Sequence, residues 1–128
     1  MTGFRIDNAF SGFSVDDIDA ARTFYRDTLG LDVKDDDMGF LGITLPSGGQ
    51  IMVYSKPNHE PASFTILNFP VDDIESAVDE LRGRGVDTKI YPDSDFPSDS
   101  KGIVREQGGP PIAWFKDPAG NVLAVLES

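Results

Sequence analysis

Few residues of this chain carry the chemistry from which active sites are built. It has one histidine, His59, and no cysteine, which excludes a thiolate metal site, a cysteine nucleophile and disulfides. His59 next to Glu60 has two interpretations, a general base or metal ligand, and a solvent-exposed loop histidine. The segment PNHEP that contains both residues favours the second. No nucleophile–base pair can be recognised from its spacing.

Two further segments carry polar groups that a ligand could contact. The segment KGIVREQGG holds Lys101, Arg105, Glu106 and Gln107, and is either a contact for the polar end of a ligand or a solvated hairpin edge. The base rates of loops favour the solvated edge. The stretch PDSDFPSDS at 92–100 is acidic and aperiodic, which predicts a mobile surface loop or a lid over a site.

The overall charge narrows the class of partner. Acidic residues outnumber basic ones 22 to 11, and the net charge of −11 would repel the phosphates of nucleic acid. The same field is compatible with a small cationic ligand, although an acidic solubilising surface is the more usual reason for it. No apolar run reaches the roughly 18 residues of a membrane helix. The first ten residues lack the regions of a signal peptide, which predicts a cytoplasmic protein.

The part of the sequence that should form the elements positioning these groups occurs twice in the chain. The phrase VDDIDAA at 15–21 returns as VDDIESA at 71–77, an offset of 56 residues. The match continues to Arg26 and Arg82, and after a slip of one residue Gly30 meets Gly85. Similarity at a fixed offset indicates a duplicated structural unit.

Each copy predicts one strand, one helix and three further strands. Asp16 and Asp72 are the expected N-caps, with Asp72 and Glu75 forming a capping box, and Gly30 and Gly85 are the expected helix ends. The later strands are LDVKD, GFLGITL and QIMVYS in the first copy, and DTKIY, PIAWFKD and VLAVLE in the second. The sequence thus predicts an α+β fold, one domain over 1–128, with modules at about 7–56 and 63–127 and a linker at 55–62.

Two motifs add a family resemblance that covers essentially the whole chain. FYRDTLGL after the first helix and FKDPAGN before the last strand, together with the repeated VDD helix, resemble the glyoxalase/bleomycin-resistance/extradiol-dioxygenase (vicinal oxygen chelate) superfamily. The resemblance implies two βαβββ modules whose curved mixed sheets enclose a ligand cup. It also implies a homodimer.

The resemblance further implies where metal ligands would stand. Metal-dependent members place a His, Glu or Gln on the first and last strand of each module, and the matching positions here are Phe10, Met52, Ile66 and Ala124. None is a competent donor for a catalytic divalent ion. Glu127 lies three residues beyond the last position and is expected to face the opposite side of its strand. We therefore expect no metal and no other cofactor.

Alternation along the strands then assigns the residues expected to line the cup. They form aromatic and aliphatic walls with a few polar groups, as in pockets for small organic ligands. An alternative interpretation is that the same side chains fill the interior and leave no cavity. The expected ligand contacts are Phe10, Met52, Tyr54, Ile66, Asn68 and Trp114.

Three functions are compatible with this pattern. The favoured one is a protein of the bleomycin-resistance type that binds or sequesters a small, partly aromatic drug or metabolite without catalysing a reaction. The alternative is a lyase, isomerase or dioxygenase that uses non-standard ligands or acid–base catalysis by groups such as Tyr54 or Glu106. The third is an interaction or regulatory domain with a closed core.

Overall fold

The computed structural model describes residues 3–105 and 108–128. The chain divides into two compact units, Met1–Glu60 and Pro61–Ser128. Within the described ranges, no helix has both the length and the apolar character needed to cross a membrane. The cytoplasmic location stays a prediction.

The first unit holds one mixed sheet of four strands in the order β1-β4-β3-β2. Strand β1 runs parallel to β4, and the other two pairs are antiparallel. The strands expected from LDVKD, GFLGITL and QIMVYS are confirmed. The elements are β1 (Ser11–Val15), α1 (Ile18–Arg22) with a π-helical continuation (Thr23–Thr28), β2 (Asp32–Asp35), β3 (Leu41–Thr44) and β4 (Gln50–Ser55).

The second unit repeats this arrangement with one strand fewer. Its three-stranded sheet has the order β5-β7-β6, with β5 parallel to β7 and β6 antiparallel to it. The two units confirm the α+β fold of the resemblance, in modules of four and three strands. The elements are β5 (Thr65–Val71), α2 (Ile74–Gly83), β6 (Ile112–Lys116) and β7 (Val122–Glu127).

The expected strand DTKIY is wrong, and the reason is competition for the edge of β6. Val104 and Ile112 exchange two backbone hydrogen bonds of 2.8 and 3.1 Å, so the segment before β6 takes that edge. Thr88, in the expected strand, instead donates its hydroxyl to the carbonyl of Lys101 over 2.6 Å. The 87–91 segment therefore packs beside the 101–104 segment without joining a sheet ladder.

The helix N-caps lie one residue later than the sequence analysis expected. Asp17, not Asp16, accepts hydrogen bonds from the backbone of Asp19 and Ala20. Asp73, not Asp72, caps α2 in the same manner, and its other carboxylate oxygen accepts from the hydroxyl of Ser76. The two caps have nearly identical dihedral angles, φ −132° and ψ 107° against φ −135° and ψ 104°. The duplicated phrase thus folds into the same local structure twice.

The one-residue slip between the copies coincides with the π-helical segment. Leu29 donates its N–H to the carbonyl of Phe24, five residues earlier, where an α-helix would span four. A π turn holds one more residue than an α turn, so the longer first helix still ends at its glycine. Gly30 and Gly85 have φ of 78° and 86°, which confirms both as left-handed helix ends.

Each sheet buries one face and leaves the other more accessible. In the first unit the alternate residues of β3 and β4 are buried with Val15, Ala21 and Tyr25, while Met52 is half-buried and Tyr54 is 39% exposed. Burying a face against the helix supplies most of the apolar stabilisation of such a unit. The buried strand residues there are Leu41, Ile43, Ile51 and Val53.

Candidate ligand-binding site

The accessible face of the first sheet borders a groove of about 560 Å³. That volume lies within the usual range for small-molecule pockets. Phe10 and Met52, two of the expected contacts, line it together with Phe40 and Gln50. Phe10 is 62% exposed, so its ring is available to a ligand. The remaining lining residues are Asp7, Asn8, Ala9, Gly42, Gly48, Gly49 and Ile51.

Glycines keep the neighbourhood of Met52 bare. Met52 on β4 lies between Gly12 on β1 and Gly42 on β3 in the strand register. A Cβ added at Gly42 would meet nothing within 4 Å, whereas one at Gly12 would lie 3.1 Å from the Met52 carbonyl oxygen and 4.0 Å from the Tyr54 ring. Side chains flanking Met52 would fill the space that the glycines leave open. Tyr54, another expected contact, therefore lies over Gly12 and is not among the residues that line the groove.

The second sheet has a matching row with different side chains. Ala124 on β7 lies between Asn68 on β5 and Trp114 on β6. Ala124 is fully buried, Asn68 is exposed and Trp114 is half-buried. The structure thus brings the expected contacts Asn68 and Trp114 onto one face of the second unit, as it brings Phe10 and Met52 to one groove of the first.

The expected position of Ile66 is altered by an irregularity in β5. The pairing with β7 shifts between Thr65 and Leu67, which leaves Ile66 without a cross-strand partner. Thr65, opposite Val122, takes the face of Asn68 instead, and its hydroxyl accepts a 3.2 Å hydrogen bond from the indole Nε1 of Trp114. The alternation that placed Ile66 beside Asn68 is therefore wrong at this point. Thr65 was missed because a bulge leaves no mark in an alternating pattern.

The resemblance places metal ligands at Phe10, Met52, Ile66 and Ala124. Met52 is flanked by two glycines, and Ala124 by Asn68 and the indole of Trp114. Phe10, Met52, Ile66 and Ala124 carry neither a carboxylate nor an imidazole, the donors that hard and borderline divalent ions prefer. Within residues 3–105 and 108–128, no group of three His, Asp or Glu side chains could hold an ion either.

The lone histidine is not the exposed loop residue that the sequence favoured. His59 is half-buried, and its Nδ1 lies 2.7 Å from the hydroxyl oxygen of Ser14 on β1. Ser14 shares the face of Gly12 and is the register partner of Tyr54. The pair spans 45 residues, a separation from which no sequence motif could have revealed it.

The polar residues around α2 stabilise the second unit. Glu127 accepts a 3.1 Å hydrogen bond from the N–H of Ile74 in the first turn of α2, on the face away from Ala124 as expected. Lys101 and Arg105 both form ion pairs with Glu75, the residue that was expected in a capping box. These contacts favour the solvated-edge interpretation of KGIVREQGG. Glu106 and Gln107 lie outside the described residues.

The loop at 92–99 is tied to its surroundings at both ends. Asp93 pairs with Lys89 over 2.9 Å, and this hydrogen-bonded ammonium, followed by the backbone N–H of Ser98, lowers the pKa of Asp93. Asp99 accepts from the N–H groups of Ile103 and Lys101 and from Arg105. Partial burial acts to raise the pKa of Asp99, but these hydrogen bonds outweigh it and the pKa lies below its usual value.

The comparison with known families agrees with this fold. The family model described as Glyoxalase/Bleomycin resistance protein/Dioxygenase superfamily matches residues 6–125. The chain therefore belongs to this superfamily, and the resemblance found in its sequence is confirmed. None of the curated proteins matches the chain.

Solved structures with this fold are similar over nearly the whole chain. A member of the superfamily from Sphaerobacter thermophilus DSM 20745 is 25% identical with a TM-score of 0.71, covering 96% of this chain and 98% of its own. TnmS3, an antibiotic-binding protein from Streptomyces sp. CB03234, is 22% identical with a TM-score of 0.68, covering 99% and 98%. FosX, a fosfomycin resistance protein from Listeria monocytogenes, is 12% identical with a TM-score of 0.69, covering 100% and 94%.

Proposed function

We propose that this protein binds a small, partly aromatic organic molecule, a drug or a metabolite, without a catalytic metal. The observation that carries the proposal is the groove of about 560 Å³, lined by Phe10, Phe40 and Met52. A concave surface with apolar walls and few polar groups is the usual form of a small-molecule site. The antibiotic-binding protein TnmS3 has the same fold, which is compatible with this function.

Among the proposed contacts, the apolar side chains would pack against the ligand and the polar ones would form hydrogen bonds with it. For such contacts the first unit offers Phe10, Met52 and Tyr54, and the second unit, taken by itself, offers Asn68 and Trp114, with Thr65 in the place that was expected of Ile66. An aromatic pair contributes about 0.5–1.5 kcal/mol beyond the area that it buries. Asn68 is exposed and would orient the ligand through hydrogen bonds of its amide.

The proposed absence of a metal follows from side-chain chemistry. An ion at Phe10, Met52, Ile66 and Ala124 would exchange hydration water for groups that offer at most one thioether sulfur. That exchange costs far more free energy than it returns. Stoichiometric zinc, nickel, manganese or iron in the purified protein would contradict this part of the proposal.

Calorimetric titration tests the proposal directly. Bleomycin and a panel of flat aromatic compounds are titrated into the wild-type protein, and we expect saturable binding of at least one of them. Phe10→Ala should weaken that binding at least several-fold, because it removes one wall of the groove. Phe4→Ala is the matched control, since Phe4 is 88% exposed and does not line the groove. Binding that Phe10→Ala leaves unchanged would contradict the proposed site.

One observation favours an enzyme of a different kind from the lyase, isomerase or dioxygenase named in the sequence analysis. The hydrogen bond of 2.7 Å between Ser14 and His59 has the length required of a nucleophile and its base. An enzyme of this kind would release 4-nitrophenolate from 4-nitrophenyl acetate and carry the acetyl group on Ser14, as mass spectrometry would detect. Neither signal should appear in Ser14→Ala. Their absence in the wild-type protein would leave the binding function as the better account.

We also propose a homodimer, on the strength of the family resemblance. Light scattering at micromolar concentration measures the mass in solution. A monomer of 13.9 kDa would contradict the proposal.

A further inference from the structure

The ring of Phe96 packs against the indole of Trp114. The two ring centroids lie 4.8 Å apart with the planes tilted by 45°. Tyr91 completes an aromatic cluster, with centroids 5.4 Å from Trp114 and 5.1 Å from Phe96. These separations are typical of favourable aromatic pairs. Phe96 therefore occupies the position from which another ring would stack on Trp114.

The indole of Trp114 has further contacts besides the one with Phe96. Its Nε1 donates to Thr65, and the residue lies opposite the fully buried Ala124. The void beside the aromatic cluster measures about 10 Å³, which holds at most one water molecule. No ring can enter the cluster while Phe96 stays in place. A ligand that stacks on Trp114 at this position must displace Phe96.

The chain around Phe96 permits such a movement. Asp93 and Asp99 anchor the two sides of the loop through Lys89 and through the backbone of Lys101 and Ile103. Between these anchors, the N–H groups of Asp95 and Phe96 share the carbonyl of Pro92. Phe96 is 37% exposed. Its ring can therefore move into solvent without breaking either anchor.

We propose that Phe96 is a gate over an aromatic binding position on Trp114, and that a flat aromatic ligand enters by taking its place. The inference rests on the proposed function, in which Trp114 is a ligand contact. Ala124 separates Trp114 from Asn68 by two strand spacings, roughly 9–10 Å. The ligand class that fits is a flat ring with a polar substituent directed across Ala124 towards Asn68.

The gate makes a prediction about affinity that a simple wall would not make. In the wild-type protein each binding event exchanges the Phe96–Trp114 pair for a ligand–Trp114 pair. Removal of the Phe96 ring ends this competition, and the strength of one aromatic pair corresponds to a gain of about two- to tenfold in affinity. A residue that only forms a wall of the site would instead lose affinity when truncated.

Trp114 is the only tryptophan, so its fluorescence reports on the gate without a label. The probe is 4-nitroaniline, a flat ring with a polar substituent at each end, titrated into the wild-type protein, Phe96→Ala and Phe96→Leu. Phe4→Ala serves as the matched control. Urea unfolding of each variant shows that the fold is retained, and Phe96→Leu, which keeps an apolar side chain, provides a second test if Phe96→Ala does not fold.

We expect Phe96→Ala and Phe96→Leu to bind the probe about two- to tenfold more tightly than the wild-type protein and Phe4→Ala. Equal affinity in all four proteins would overturn the gate, and so would weaker binding in the Phe96 variants. Trp114 fluorescence that stays constant during the titration of every one of these proteins would overturn the gate as well. That last outcome is separate from the calorimetric test with Phe10→Ala, which decides the proposed function.

Discussion

The hydroxyl of Thr88 donates a hydrogen bond of 2.6 Å to the carbonyl oxygen of Lys101. This contact draws the two segments together so closely that only glycine fits at position 102. A Cβ at Gly102 would overlap the carbonyl oxygen of Thr88, and φ there is +88°. Thr88, Gly102 and Ile103 are all buried. The contact therefore fixes the chain where the strand DTKIY was expected.

Substitution of Gly102 should be among the most destabilising single changes. We expect Gly102→Ala to lower the free energy of unfolding by about 3 kcal/mol or more, because backbone overlap and left-handed strain act together. Gly30→Ala is the matched control, with φ +78° and nothing within 4 Å of an added Cβ, and should cost about 1–2 kcal/mol. Urea unfolding measures both. Equal costs would show that the Thr88 segment can move away.

Filling the groove should abolish binding without harming the fold. Gly42→Leu places a side chain beside Met52, where an added Cβ meets nothing within 4 Å. We expect at least a tenfold loss of affinity in the calorimetric titration, with stability unchanged or raised, since glycine disfavours strands. Gly83→Leu in α2 is the control, because Gly83 is equally open and lies outside the groove. Retained binding in Gly42→Leu would show that the ligand does not bind beside Met52.

Two adjacent aspartates, Asp16 and Asp17, should differ in their effect on stability, because only Asp17 is the N-cap of the first helix. Asp17→Ala removes the acceptor of the Asp19 and Ala20 N–H groups and should cost about 0.5–2 kcal/mol. Asp16→Ala is the control, and because the cap is Asp17 we expect a change within about 0.5 kcal/mol. Thermal or urea unfolding resolves the two. A larger loss of stability in Asp16→Ala than in Asp17→Ala would show that Asp16 is the N-cap, as the sequence analysis expected.

Acid should weaken the fold through Asp99. Its pKa lies below the usual 3.8 in the folded chain, so its stabilising contribution is complete well above pH 3.8. The contribution is lost as the pH falls from about 3.8 through the lower pKa of the folded state. Asp99→Asn should reduce the difference between the urea midpoints at pH 7 and pH 3, whereas Asp95→Asn, the control, should not. An unchanged difference in Asp99→Asn would assign the acid sensitivity to other groups.

Local patterns predicted most of the elements but not their first residues. The helices, the glycine ends and all seven described strands follow from periodicity and turn residues, which act within a few positions, and of the eight expected strands only DTKIY is wrong. The cap was misplaced by one residue because both copies offer two consecutive aspartates. Which of the two aspartates becomes the N-cap depends on where the extended backbone after β1 or β5 ends. In the structure the N-caps are Asp17 and Asp73.

The candidate site was predictable where strands alternate and unpredictable elsewhere. Asn68 and Trp114 share a face of the second sheet, since both lie opposite Ala124, and the period of a strand is enough to predict such a face. Thr65 replaced Ile66 through a bulge, and His59 joined Ser14 across 45 residues. The contact between the rings of Phe96 and Trp114 joins a loop to a strand, and no short sequence pattern predicts such a contact.

The sequence by itself determined that a βαβ-type unit occurs twice, and that the chain carries a single histidine, a single tryptophan and no cysteine. These are matters of residue identity and local period. Only the tertiary structure decided which edge of β6 is paired, which face Thr65 takes and which ring covers Trp114. Each of those outcomes is a competition between segments far apart in the chain for the same edge or surface. Packing and hydrogen-bond geometry in three dimensions settle that competition.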